Sequence, residues 1–198
     1  MVYNNDDFND LNFEDVIGDA EKRKKKKKDS SGKGKRGERN LGKVLKKRFG
    51  FEFTRTSGSG NRWGQVVFLP KHAQDTYSGD LVCPENFKFV IECKDGYGDI
   101  DLHTCFERGL KKIDEWMEQS IDEHLRCGRL PIIAWKKNYK PWLAMVRSED
   151  LKNREFKYLL KYKDWCIMAL CKLLDLEDDF FFENENGEKK NKKETGNK

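Results

Sequence analysis

Glu92 and Lys94 break the run FKFVIECK (residues 87–94) where further apolar residues would complete a buried strand face. Side chains two apart in a strand share a face, so Val90, Glu92 and Lys94 point the same way. Asp80 heads the preceding apolar run, SGDLV, and a turn over residues 84–87 would set it opposite Glu92 or its neighbour. Carboxylates this close repel and raise one another's pKa. A divalent cation between them removes that cost, and oxygen ligands of this kind suit Mg²⁺ or Mn²⁺. Glu38 is a third acid of interest. It precedes Leu41 by three positions and Leu45 by seven, which puts it on the apolar side of a helix, away from Lys43, Lys46 and Lys47. A core-facing carboxylate needs a partner, and the same cation would serve it. Any one of these acids alone reads equally as a surface charge or an ordinary ion pair; the set together points to a metal site.

The elements that must position these residues follow from periodicity. RGERNLGKVLKKRFG predicts a helix closed by Gly50, with Leu41, Val44, Leu45 and Phe49 at helical spacing. FEFTRT reads as a short strand and SGSGNRWGQ as a mobile loop. GDLVCP and FKFVIECK form an expected hairpin about Glu85-Asn86. Phe106, Leu110, Ile113, Met117 and Ile121 mark a long amphipathic helix over about 104–127. LPIIAWKK and PWLAMVR make a strand pair around NYK. Residues 157–175 are expected to form a last helix with Leu159, Leu160, Ile167, Leu170 and Leu174 inward. The order αβββαββα argues for an α/β fold, a central mixed sheet flanked by helices.

Charged residues make up 38% of the chain, so part of its length is expected to be solvated tail. Residues 1–35 lack periodic apolar positions and read as a disordered arm, acidic and then basic. A globular domain is expected over 36–176, and 177–198 reads as a low-complexity tail. The net charge of +5 conceals the segregation between a lysine-free start and the run KRKKKKK at 22–28. That run suits a polyphosphate partner such as DNA, or serves as a solubilising or localising tail. No apolar run is long enough for a membrane span and the acidic start is unlike a signal peptide, so a cytoplasmic protein is expected. The six cysteines form no CxxC pair and are expected to be reduced thiols. The three histidines have no convergent spacing. Trp116, Trp135, Trp142 and Trp165 alternate with apolar neighbours and read as core. In the glycine-rich loop, Arg62 and Trp63 could grip a backbone and stack on a base, or Trp63 could pack inward.

The ordered series GERNLGKVLKKRFGFEFTRTSGSG, SGDLV, FVIECK and LPIIAWKKNYKPWLAMV resembles the PD-(D/E)xK nuclease superfamily. The likeness spans about residues 36–147 and is nearest to archaeal-type Holliday-junction resolvases and related phage endonucleases. It implies a restriction-endonuclease-like fold in which Glu38, Asp80 and Glu92 ligate Mg²⁺ or Mn²⁺ and Lys94 orients the attacking water or stabilises the phosphate. It implies further that Arg55 and Ser57 grip the substrate backbone, that Gln119 is an accessory residue, and that Lys136 contacts DNA along with Arg62. Gly79 stands where the motif's name has proline. The function so implied is a metal-dependent DNA endonuclease acting on branched DNA, in a host cytoplasm if phage-encoded. Symmetric cutting of two strands would call for a homodimer. The alternatives are a restriction-like or general phage nuclease on duplex DNA, and an inactive DNA-binding protein of the same fold.

Overall fold

The computed structural model describes residues 30–57, 68, 70, 74, 77–97, 100, 110–151, 154 and 157–183. The glycine-rich loop with Arg62 and Trp63, the lysine run, His72, His103 and Cys105 lie outside the described residues.

Helix α1 (Ser30–Phe49) starts ahead of the expected boundary at 36 and ends on Gly50. Gly50 has φ 76° and donates its N–H to Lys46 O at 2.8 Å, the left-handed cap expected of a glycine there. Lys46, Lys47 and Arg48 in the last turn complement the helix dipole. Two glycines let α1 sit hard against its neighbours. A Cβ on Gly42 would come within 2.4 Å of Phe53 O, and one on Gly37 equally close to the Asp95 Cβ. The second contact brings α1 to the C-terminal end of strand β3.

Strands β1 (Thr54–Arg55) and β2 (Leu81–Val82) form a small antiparallel sheet, with Arg55 opposite Leu81. Strand β3 (Phe89–Asp95) edges a five-stranded mixed sheet of order β3-β4-β5-β7-β6. It runs parallel to β4 (Leu130–Lys136), and helix α2 (Lys111–Cys127) makes the crossover between them. Strand β5 (Leu143–Arg147) returns antiparallel to β4, as expected from the sequence.

Two expectations are corrected. The hairpin over 78–95 keeps its turn, with Phe87 N–H donating to Pro84 O, but its arms part. One arm pairs with β1 and the other with β4. The two arms meet at Asp80, whose N–H donates to Ile91 O at 2.9 Å. Second, residues 157–175 are not one helix. They form strands β6 (Leu160–Tyr162) and β7 (Trp165–Ala169), and only Leu170–Leu174 is helical, as α3. Lys163, at φ 52°, turns the chain between the strands. Leu159 is 68% exposed rather than inward.

Alternation along the strands separates two cores. Ile91, Ile132, Ala134 and Val146 face α1, α3 and helix α4 (Asp178–Phe181). Ile133, Trp135, Met145 and Ile167 face α2. Phe180, Phe181 and Phe182 are buried among Phe49, Phe87 and Phe89, so packed structure continues past residue 176 to Glu183. Trp116, Trp135 and Trp165 are buried as expected, and Trp142 is partly so. Among the described residues no helix is long and apolar enough to cross a membrane. The five described cysteines form no disulfide.

Candidate active site

Asp80 stands in the fork where β2 and β3 separate. Its N–H goes to Ile91 O, its carbonyl accepts the Thr56 N–H at 2.9 Å, and its Oδ2 accepts the Cys93 N–H at 2.8 Å. The side chain therefore supplies a bond to β3 that a backbone carbonyl would make in a continuing ladder. The turn into this position requires Gly79. Its φ of 73° is open to few L-residues, and a Cβ there would lie 2.7 Å from Val90 Cγ2 and 2.8 Å from Ile91 O. Proline, locked near φ −65°, cannot occupy it.

Glu92 and Lys94 share the face of β3 that looks at α2, as strand alternation predicts. Both are buried. Lys94 Nζ donates to Glu92 Oε2 at 2.8 Å and to Gln119 Oε1 at 2.9 Å; Gln119 Nε2 donates to the same Glu92 oxygen at 2.9 Å. The three side chains close a ring between strand and helix. Burial, and then the Asp80 charge, push the Glu92 carboxyl up to about 7, with Lys94 pulling the other way. Burial opposes the Lys94 ammonium, yet Glu92, its hydrogen bond and Asp80 outweigh that and raise its pKa. The carboxylate that holds the lysine's proton is thus itself reluctant to ionise beside Asp80.

Glu38 is buried on the side of α1 predicted from its spacing, and forms an ion pair through Oε2 with Arg55 Nε. It also approaches Cys93. Burial raises that thiol's pKa, and the Asp80, Glu38 and Asp95 charges add to the rise. Cys93 alternates with Glu92 and Lys94 and packs toward the α1 core, so Glu38 comes to β3 from the face opposite the Glu92–Lys94–Gln119 ring. The structure thus brings Asp80, Glu92, Lys94 and Gln119 together and sets Glu38 with Arg55 across the strand. Ser57 lies one residue beyond Thr56 and is exposed. Lys136 pairs with Asp95 at the end of β4, its Nζ 5.4 Å from the Trp142 ring centroid.

Spacing on α2 contains a residue that strand reasoning missed. Glu123 follows Gln119 by one helical turn, accepts the Gly79 N–H, and bears electrostatically on both Asp80 and Glu92. The i, i+4 relation to Gln119 was the available signal.

Among the described residues, no three His, Cys, Asp or Glu side chains are gathered tightly enough to hold a metal ion alone. The donor chemistry nevertheless fits a hard divalent cation: Asp80 and Glu92 offer oxygens, and their mutual repulsion is what a cation would relieve.

A family described as "Phage putative PDDEXK endonuclease" matches residues 29–176. Protein D14 of Escherichia phage T5 is 30% identical over 126 residues, covering 62% of this chain and 73% of the relative. No solved structure gives a significant match. The family match spans β1 to β7 and contains Glu38, Asp80, Glu92, Lys94 and Gln119; the chain belongs to the PD-(D/E)xK endonuclease family of phages.

Proposed function

We propose that this nuclease hydrolyses DNA phosphodiester bonds with the aid of Mg²⁺ or Mn²⁺, and that its substrate is branched DNA. The observation that carries the metal reading is the pairing of Asp80 with a Glu92 pushed up to about 7 beside a buried Lys94. A fold gains nothing in stability from two repelling buried carboxylates; a cation site does. Asp80 and Glu92 would hold the ion, which supplies charge neutralisation at the phosphate and a water of lowered pKa. Glu38 is the third acid of the set, held in reserve by Arg55. A phosphate that draws the Arg55 guanidinium to itself would release Glu38 toward the site.

The remaining roles belong to the chain. Lys94, fixed by Gln119 and Glu92, holds the attacking water or the developing negative charge on phosphorus. Arg55, Ser57, Lys136 and Arg62 contact the DNA backbone, and the run at 22–28 adds sequence-independent attraction. The branched substrate rests on the sequence likeness to junction resolvases, whose paired incisions call for a homodimer.

Purified protein incubated with a labelled four-way junction and a matched duplex, with and without Mg²⁺, tests this reading. Metal-dependent paired nicks in the junction, with the duplex spared, are expected. Equal cutting of both DNAs would replace the branched substrate with duplex. No cutting in Mg²⁺ or Mn²⁺ would overturn the reading.

A further inference from the structure

The stripe Gln119, Glu123, Cys127 runs along α2 at intervals of four, and each member grips a different piece of the site. Gln119 holds Glu92 and Lys94. Glu123 accepts the Gly79 N–H. Cys127 is in hydrogen-bond contact with the Ser78 side chain, which donates in turn to Gln74 O at 3.0 Å. Helix α2 thus holds the Ser78-Gly79-Asp80 turn on one side and the Glu-x-Lys strand on the other.

We propose that Glu123 is a positioning residue for Asp80: by accepting the Gly79 N–H it fixes the turn that carries Asp80 into the fork beside Glu92. The inference rests on the nuclease reading, because it assigns Glu123 a part in that site. Gly79 is the natural place for such a hold. With φ 73° and no side chain, it is the link in the turn with most conformational freedom, and its N–H is the handle nearest Asp80. Glu123 is half-buried and itself steadied by Arg126, at 3.3 Å from Oε1. Its charge lies within reach of Asp80, so a carboxylate here costs repulsion that a surface position would avoid. A bland surface pair with Arg126 leaves the Gly79 contact unused; the positioning role uses it. What matters on this account is the acceptor oxygen, so glutamine should substitute for glutamate.

Amide hydrogen exchange on the metal-free, full-length protein reads the hold directly. In E123A, the Gly79 and Cys93 amides should exchange about tenfold faster or more, while Ile133 and Met145 in the central strands are unchanged. E123Q should stay near wild type. Should E123A fail to fold, E123D, one methylene too short to reach, carries the same expectation. Single-turnover DNA cleavage by E123A should drop about 10- to 100-fold with KM within about twofold, and recover in E123Q. Unchanged exchange at both amides, or E123Q behaving as E123A does, would overturn the inference. A wild type that cuts DNA alongside an equally active E123A sinks Glu123 alone. A wild type that cuts nothing sinks the nuclease reading and, with it, any part for Glu123 in a reaction.

Discussion

Asp80 and Cys93 are joined across the fork by a side chain doing a backbone's work: Oδ2 of the first accepts the N–H of the second at 2.8 Å. The bond needs an oxygen but not a charge. Asp80→Asn should therefore keep the bond, relieve repulsion on Glu92, and leave metal-free stability equal or higher, while cleavage falls by orders of magnitude. Asp80→Ala should lose the bond as well and cost about 0.5–1.5 kcal/mol. Thermal melts and cleavage assays on both variants check this. An Asn variant that cuts at the wild-type rate would remove Asp80 from the site.

The Glu92 carboxyl gives the metal-free protein a pH dependence of unusual sign. Its value rises from 4.5 to about 7 on folding, so between these limits the native state binds more protons than the unfolded chain. Stability should then fall as pH rises through that window, by about 1–3 kcal/mol. The half-buried Glu123, raised mainly by burial, acts in the same direction. Urea titrations at pH 5 and pH 7.5 in chelator measure the change. Glu92→Gln should remove most of it, and a wild-type stability that climbs over this range would contradict the account.

The Glu38–Arg55 pair makes a prediction that separates metal-free from metal-bound behaviour. Glu38→Gln strands a mostly buried guanidinium and should destabilise the metal-free protein by about 1–3 kcal/mol. Adding Mg²⁺ should raise the wild-type melting temperature by mass action and the variant's by less. Equal shifts in the two proteins would confine Glu38 to a structural role.

Gly79 is expected to tolerate no side chain. Gly79→Ala meets both the positive φ and the 2.8 Å approach to Ile91 O, and should cost about 1–3 kcal/mol or more. Gly79→Pro also deletes the N–H held by Glu123 and should give no folded protein. Soluble yield and urea midpoints report both. A stable proline variant would show that the turn has a second conformation.

Much of the arrangement around Asp80, Glu92 and Lys94 was legible because strand alternation and a turn position are local facts. Helices α1 and α2 and the β4–β5 pair were legible for the same reason, each having one dominant hydrophobic period. Residues 157–175 misled because Leu160, Ile167, Leu170 and Leu174 satisfy a helical period, while the turn at Lys163 has no glycine, asparagine or proline to announce it. The acidic flanks of Phe180–Phe182 made a buried segment resemble a tail. The Glu38–Arg55 pair and the Glu123 contact depend on how α1 and α2 dock, which no local pattern encodes.

The burial of residues 180–182 also bears on how the chain reaches its folded state. Arg48 donates to the carbonyls of Leu174 and Leu176, the latter 128 residues away, and Phe49 stacks beside Phe181 with ring centroids 4.8 Å apart. Synthesis delivers α1 early and its covering aromatics late. Until they arrive, the apolar side of α1 stays open to solvent and to other chains. Closing so long a loop is entropically expensive and slow, so the final contacts form as a late, non-local step. The carboxylates of the fork are thus assembled before the core behind α1 is sealed, which makes the nascent chain, rather than the finished protein, the form most in need of a chaperone.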